Sequence, residues 1–187
     1  SYTLSKLEND TDDINFQAAN PNDFGAEWGP SINDRRHIIS TILYLTPRED
    51  LLVSIAGLFQ SGQPINFIPD ASQFGGTTDL NGDGGSFSDA YLGNADRAPG
   101  QSRNSGRLPW STQIDLGLRW SPRVGGLDDD ARVEFSADVF NVFDTVNESG
   151  FANAATQSNQ IQVAGQPFVQ RNSGPPRQFQ FGLRYWF

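Results

Sequence analysis

The chain has 187 residues, enough for one domain, and 22 acidic against 13 basic side chains give it a net charge of −9. That balance, with a pI near 4.4, argues against a nucleic-acid partner, whose phosphates demand a basic footprint. There is no cysteine for disulfides or thiolate metal sites, and no apolar run approaches the roughly 18 residues of a spanning helix.

The opening SYTLSKLEND lacks the charged start and apolar stretch of a signal peptide. The chain is therefore expected to be processed or to be the later part of something longer. Residues 1–8 read as a first strand. Residues 37–45 and 51–60 alternate imperfectly but are β-branched and apolar enough for strands. In residues 112–120, Ile114, Leu116, Leu118 and Trp120 alternate with Gln113, Asp115, Gly117 and Arg119. Residues 133–139 set Val133, Phe135, Ala137 and Val139 against Glu134, Ser136 and Asp138. The clearest run, residues 178–187, puts Phe179, Phe181, Leu183, Tyr185 and Phe187 on one face, with Gln178, Gln180, Gly182, Arg184 and Trp186 behind. No helix-period stretch competes.

The links decide the expected architecture. Residues 46–50, with Pro47, and residues 121–131, with Pro122, Gly125 and Gly126, are short; residues 9–36, 61–111 and 140–177 are long. Long, short, long, short, long is the parity of an up-and-down barrel, with brief periplasmic turns on one rim and extended outer loops on the other. The expected fold class is all-β: about six antiparallel up-and-down strands forming part of a transmembrane β-barrel. Thirteen of the 22 acidic residues fall in the long links, so the outer rim is expected to be anionic. A strand of about 10 residues rises roughly 33 Å, and a tilt near 40° brings this to about 25 Å, the apolar band of an outer membrane. Aromatics gather near strand ends: Trp110 and Trp120, Phe140 and Phe143, Tyr185 to Phe187. Six strands cannot close alone, since single-chain barrels begin at about eight, so further strands must come from a longer parent or from partner copies.

The last eight residues, QFGLRYWF, are similar to the terminal signal of outer-membrane barrels, with Gln180, Gly182, Tyr185 and Phe187 at its marked positions. More of the chain agrees, in order: Asp34-Arg-Arg-His37, Leu45-Thr-Pro47, Gln60-Ser-Gly-Gln-Pro64, Asp79-Leu-Asn-Gly-Asp-Gly84, Asp96-Arg-Ala-Pro-Gly100, Arg103-Asn-Ser-Gly-Arg107, Ile114-Asp-Leu116, Asp138-Val-Phe-Asn-Val-Phe-Asp144 with Asn147, and Pro176-Arg-Gln-Phe-Gln-Phe-Gly182. These pieces resemble the C-terminal half of TonB-dependent receptors that carry a carboxypeptidase-regulatory-like N-terminal domain. The resemblance implies that residues 1–187 are the C-terminal portion of a barrel in a Gram-negative outer membrane, with plug and earlier strands absent. It implies wall and outer loops of a transporter for a bulky ligand: oligosaccharide, peptide or chelated metal. The implied partners are outer-membrane lipid, the barrel-assembly machinery, the remaining strands and plug, and TonB only through the absent N-terminal part.

Candidate sites are few. Asp79, Asn81 and Asp83 place oxygens at alternate positions before a glycine, as the first half of a calcium loop does. The twelfth position is Ala90, with Asp89 one short, so a turn rich in Asp and Gly is the competing reading. Arg97, Arg103 and Arg107 are expected to pair within the loops, as surface pairs worth about 0 to 1 kcal/mol each. His37, the sole histidine, is expected to be structural or interfacial. Asp115, Glu134 and Asp138 are lumen-facing candidates, either bordering a transport path or simply wet. With no nucleophile and base pairing, no phosphate loop and no metal-hydrolase helix, no enzyme is expected. The alternatives are a structural outer-membrane β-protein that completes its barrel by self-association without transport, and a soluble carbohydrate-binding sandwich.

Overall fold

A computed structural model describes residues 1–12, 18–68, 71–77, 79–82, 84, 96–97, 99–123, 132–151, 161–163 and 170–187. In chain order the strands are β1 (Tyr2–Leu4), β2 (Glu8–Asn9), β3 (Gly29–Pro30), β4 (His37–Arg48), β5 (Leu51–Gln60), β6 (Pro64–Ile68) and β7 (Gly106–Arg107). There follow β8 (Ser111–Trp120), β9 (Arg132–Phe140), β10 (Glu148–Phe151), β11 (Ile161–Val163), β12 (Gln170–Ser173) and β13 (Gln178–Trp186). The only helical turns among the described residues are two short 3-10 turns, Phe24–Glu27 and Ala71–Phe74. No described helix is long and apolar enough to cross a membrane.

One six-stranded sheet, ordered β1-β4-β5-β8-β9-β13 and antiparallel throughout, organises the chain. Because sheet order follows chain order, the topology is up-and-down. The strand ends joined by residues 49–50 and 121–131 lie at one rim, and those joined by residues 5–36, 61–110 and 141–177 at the other; the described residues of these three longer connections hold seven short strands in three small sheets.

The β4-β5 connection is tighter than its sequence suggests. Residues 46–48 continue the strand, and only Glu49 and Asp50 form the turn. The extra residue is absorbed by an irregularity between Leu45 and Arg48, where pairing passes from Leu45↔Val53 to Arg48↔Leu51. Pro47 falls in this bulge, which suits a residue that cannot donate to the ladder. The first strand is shorter than residues 1–8, because Glu8 leaves the main sheet to pair with Pro30.

Buried apolar side chains are scarce. Among the described residues they are Ala18, Ile65 and Leu108, the last two packed together beneath the second loop. The main sheet is a single layer with no second sheet over it among the described residues.

Candidate functional site

Period-two alternation and the registers place the apolar runs together. Ile39 faces Phe59, Leu43 faces Ile55, and Ile55 faces Leu116. Leu116 then meets Val139, and Trp120 meets Phe135. Val139, Ala137, Phe135 and Val133 lie opposite Phe179, Phe181, Leu183 and Tyr185. Since facing residues in a ladder point to the same side, these side chains form one continuous apolar face across the six strands. It is open: Phe181 is 78% exposed and Leu183 66%. Each such side chain stands to gain about 1.5 to 3 kcal/mol on leaving water, so a dozen of them left wet is a large unrealised stabilisation.

Aromatic rings mark both ends of this face. At the loop end, Tyr2, His37 and Trp110 stack in a row, with centroids 6.1 and 5.8 Å apart and planes within 12° and 10°. The Tyr2 hydroxyl also lies 2.8 Å from His37 Nδ1. His37, expected to be structural or interfacial, is thus held between two aromatic rings. At the turn end, Trp120 packs on Phe135 at 5.6 Å and Tyr185 on Phe187 at 6.0 Å. The indole of Trp120 donates to Asp50 Oδ2 at 3.0 Å, and Arg48 holds the same oxygen at 2.8 Å.

The opposite face carries Asp115, Glu134 and Asp138 together, as their alternation requires. Asp138 accepts from Arg119 Nη1 at 2.8 Å, and Glu134 lies 3.8 Å from Arg184. Asp115 accepts both from Gln113 and, at 2.8 Å, from the Asn141 amide. Space is tight beside Gly117 and Gly182, where a Cβ would press on the hydroxyls of Ser54 and Ser136. At Gly182 of the terminal pattern the obstacle is only the Ser136 hydroxyl, which a rotation can move aside. This face is not uniformly polar: Ile42, Ala56 and Leu58 join Ser40, Gln113 and Asp115 around an open groove of about 730 Å³. β4 and β5 alternate poorly because both of their faces are apolar.

Above the loop rim lies a polar cap. Arg103, with 0% of its surface exposed, donates through Nε to the Glu27 carbonyl at 2.8 Å and through Nη2 to Asn9 Oδ1 at 2.6 Å. Its Nη1 pairs with Asp12. Asp12 also accepts from Asn104 at 2.6 Å, Ser31 at 3.1 Å and the Ile32 amide at 3.0 Å. Arg97 pairs with Glu27 at 2.8 Å, and Arg107 pairs with Asp34. All three arginines of the second loop thus pair with acidic residues of the first.

Surface pairing internal to the arginines' own loop was expected; instead all three pair across to the first loop, and two of the pairs are buried, because the two loops fold onto each other. The partners Asp12, Glu27 and Asp34 escaped the sequence reading. Their only signal was three arginines within 11 residues, and separations of 70 or more residues carry no spacing rule. Burial raises the Asp34 pKa, but hydrogen bonds from Arg107 and the Leu7 amide, with the charges of Arg107 and Arg36, outweigh it and hold the carboxyl below its ordinary range.

The Asp79 carboxylate accepts from the amides of Gly82 at 2.8 Å and Gly84 at 3.0 Å, which organises a turn. Asn81 stands beside it, half-buried. Asp83, like Asp89 and Ala90, lies outside the described residues. No group of three metal-ligating side chains is assembled among the described residues.

The fold defines an all-β chain with a six-stranded, single-layer antiparallel sheet. No family model, curated protein or solved structure matches it.

Proposed function

We propose that this chain is wall and outer-loop segment of an outer-membrane β-barrel, within a TonB-dependent transporter that takes up a bulky ligand. The carrying observation is the continuous apolar face, exposed on β1, β4, β8, β9 and β13 and half-buried on β5, bounded by an aromatic row at each end and backed by a face bearing paired carboxylates. Lipid satisfies the first face and water the second, the division a barrel wall makes. The five long sheet strands β4, β5, β8, β9 and β13, of nine to twelve residues, suit a tilted crossing of about 25 Å. Loops at one rim and turns at the other fit an outside and a periplasmic side. The transporter part rests on the sequence resemblance, and oligosaccharide, peptide and chelated metal are the ligand classes it implies.

Membrane fractionation tests this reading. The chain is expected in the outer-membrane fraction, released only by detergent. A monodisperse monomer in detergent-free buffer would overturn the lipid-facing assignment of Phe179, Phe181 and Leu183.

A further inference from the structure

We propose that the Asn81-Gly82 peptide is a site of spontaneous deamidation, and that the Asp79 side chain gates the reaction. The inference concerns the second loop alone and stands apart from the barrel reading.

The chemistry is intramolecular. The Gly82 nitrogen bonds to Asn81 Cγ, and the asparagine Nδ2 leaves with the Gly82 amide hydrogen as ammonia, closing a succinimide ring. Water then opens the ring. Cleavage of the new bond from nitrogen to Cγ leaves aspartate, whereas cleavage of the original peptide bond leaves isoaspartate, with the main chain rerouted through Cβ and Cγ. The reaction needs a following residue that does not shield the nitrogen, and a side-chain amide able to swing onto it.

The sequence singles out one asparagine. Asn81 alone precedes a glycine. Gly82 is exposed at φ 76°, a conformation glycine adopts without strain, and a Cβ built there meets nothing within 4 Å among the described residues. By contrast Asn104, which precedes a serine, is 1% exposed, and its Nδ2 is held by Asp12 at 2.6 Å and by the Pro30 carbonyl at 2.7 Å. The Nδ2 of Asn141, also buried, donates to the carbonyls of Thr145 and Pro175. Those amides are tied down.

Asp79 supplies the gate. Its Oδ1 accepts from the Gly82 amide at 2.8 Å and its Oδ2 from the Gly84 amide at 3.0 Å. The Asp79 amide is tied in turn to Thr77 Oγ1 at 3.1 Å, and the Leu80 amide to the buried Asp96 carboxylate at 2.9 Å. The hydrogen that must leave Gly82 therefore points at Asp79, and turning the nitrogen toward Asn81 breaks that bond. A hydrogen bond open to water shifts such an equilibrium by about 2- to 10-fold, so the closed turn slows the reaction by that factor. Opening the turn starts it. Either product places a second carboxylate beside Asp79, and isoaspartate lengthens the backbone between Asp79 and Gly82 by a carbon, so the turn cannot close as before.

The test follows the full chain in detergent at mildly alkaline pH, with conversion at each asparagine read by peptide mapping and mass spectrometry. Aspartate and isoaspartate are expected to accumulate at position 81 faster than at position 104, and about 2- to 10-fold faster in Asp79→Ala than in wild type. In urea, where the turn is lost, the two rates should converge. Absence of conversion at position 81, a rate unchanged or lowered by Asp79→Ala, or a difference that persists undiminished in urea would each rule the proposal out.

Discussion

The guanidinium of Arg103 rests against the carboxylate of Asp12, 91 residues earlier, with the arginine side chain 0% and the aspartate side chain 3% exposed. Burying such a pair is costly for each ion alone, so loss of one partner strands the other. Arg103→Met is expected to destabilise the cap by about 3 to 5 kcal/mol, read as faster amide exchange across β2 and β3. The double variant Arg103→Met with Asp12→Asn should lose much less than the sum of the singles, because no unpaired charge remains.

Gly62 runs directly beneath the carbonyls of Leu108 and Pro109, leaving no room for a Cβ. The obstacle is backbone, which cannot rotate aside as a side chain does. Gly62→Ala is expected to cost about 2 kcal/mol or more in urea unfolding and to loosen the contact of Ile65 with Leu108.

Asn141 closes β9 with φ near 50°, a left-handed conformation. Its side chain bonds Thr145 in both directions, at 2.9 Å each, and reaches the Pro175 carbonyl at 3.1 Å. Asn141→Ala should therefore be worse than Asn141→Gly by about 1 kcal/mol in thermal unfolding, since both lose the bonds but only alanine strains at this φ. An alanine variant equal to the glycine variant would contradict this account of the turn.

Asp50 and Asp34 set the acid limit. The Trp120 indole hydrogen bond, chiefly, lowers the Asp50 pKa, with the Asp50 amide and Arg48 adding to it against a smaller effect of burial. Asp34 is held low by Arg107, the Leu7 amide and Arg36 against the opposing effect of burial. A depressed carboxylate stabilises the fold above its unfolded pKa of about 3.9, and this contribution is lost as pH falls through the lower folded value. Asp50→Asn and Asp34→Asn should be less stable than wild type at pH 6, with the difference closing as pH drops below about 4 in unfolding measured by tryptophan fluorescence.

Much of the sheet was legible in the sequence, because a period of two with one apolar face leaves little freedom in register. Phe179, Phe181 and Leu183, like Val139, Ala137 and Phe135, were readable as one apolar face of their own strand for that reason, though not as partners across the ladder. The segment from Asp138 to Asp144 with Asn147 was legible as a motif but not as a mechanism. It ties strand ends together: Asp144 accepts the Arg177 amide at 2.8 Å and Asn147 the Thr112 amide at 2.7 Å. The cap was not legible. Its pairs join residues through loop folding, and neither alternation nor local propensity encodes which aspartate meets which arginine.

The central claim is that one face of the sheet meets lipid and the other water. The chain has no cysteine, so single cysteines can be labelled cleanly with an environment-sensitive fluorophore in lipid vesicles. Labels at Phe179→Cys, Phe181→Cys and Leu183→Cys are predicted to emit blue-shifted and to be quenched from within the acyl chains, while Gln180→Cys and Arg184→Cys emit as in water. Loss of that alternation, or water-like emission at all five positions, would contradict the account.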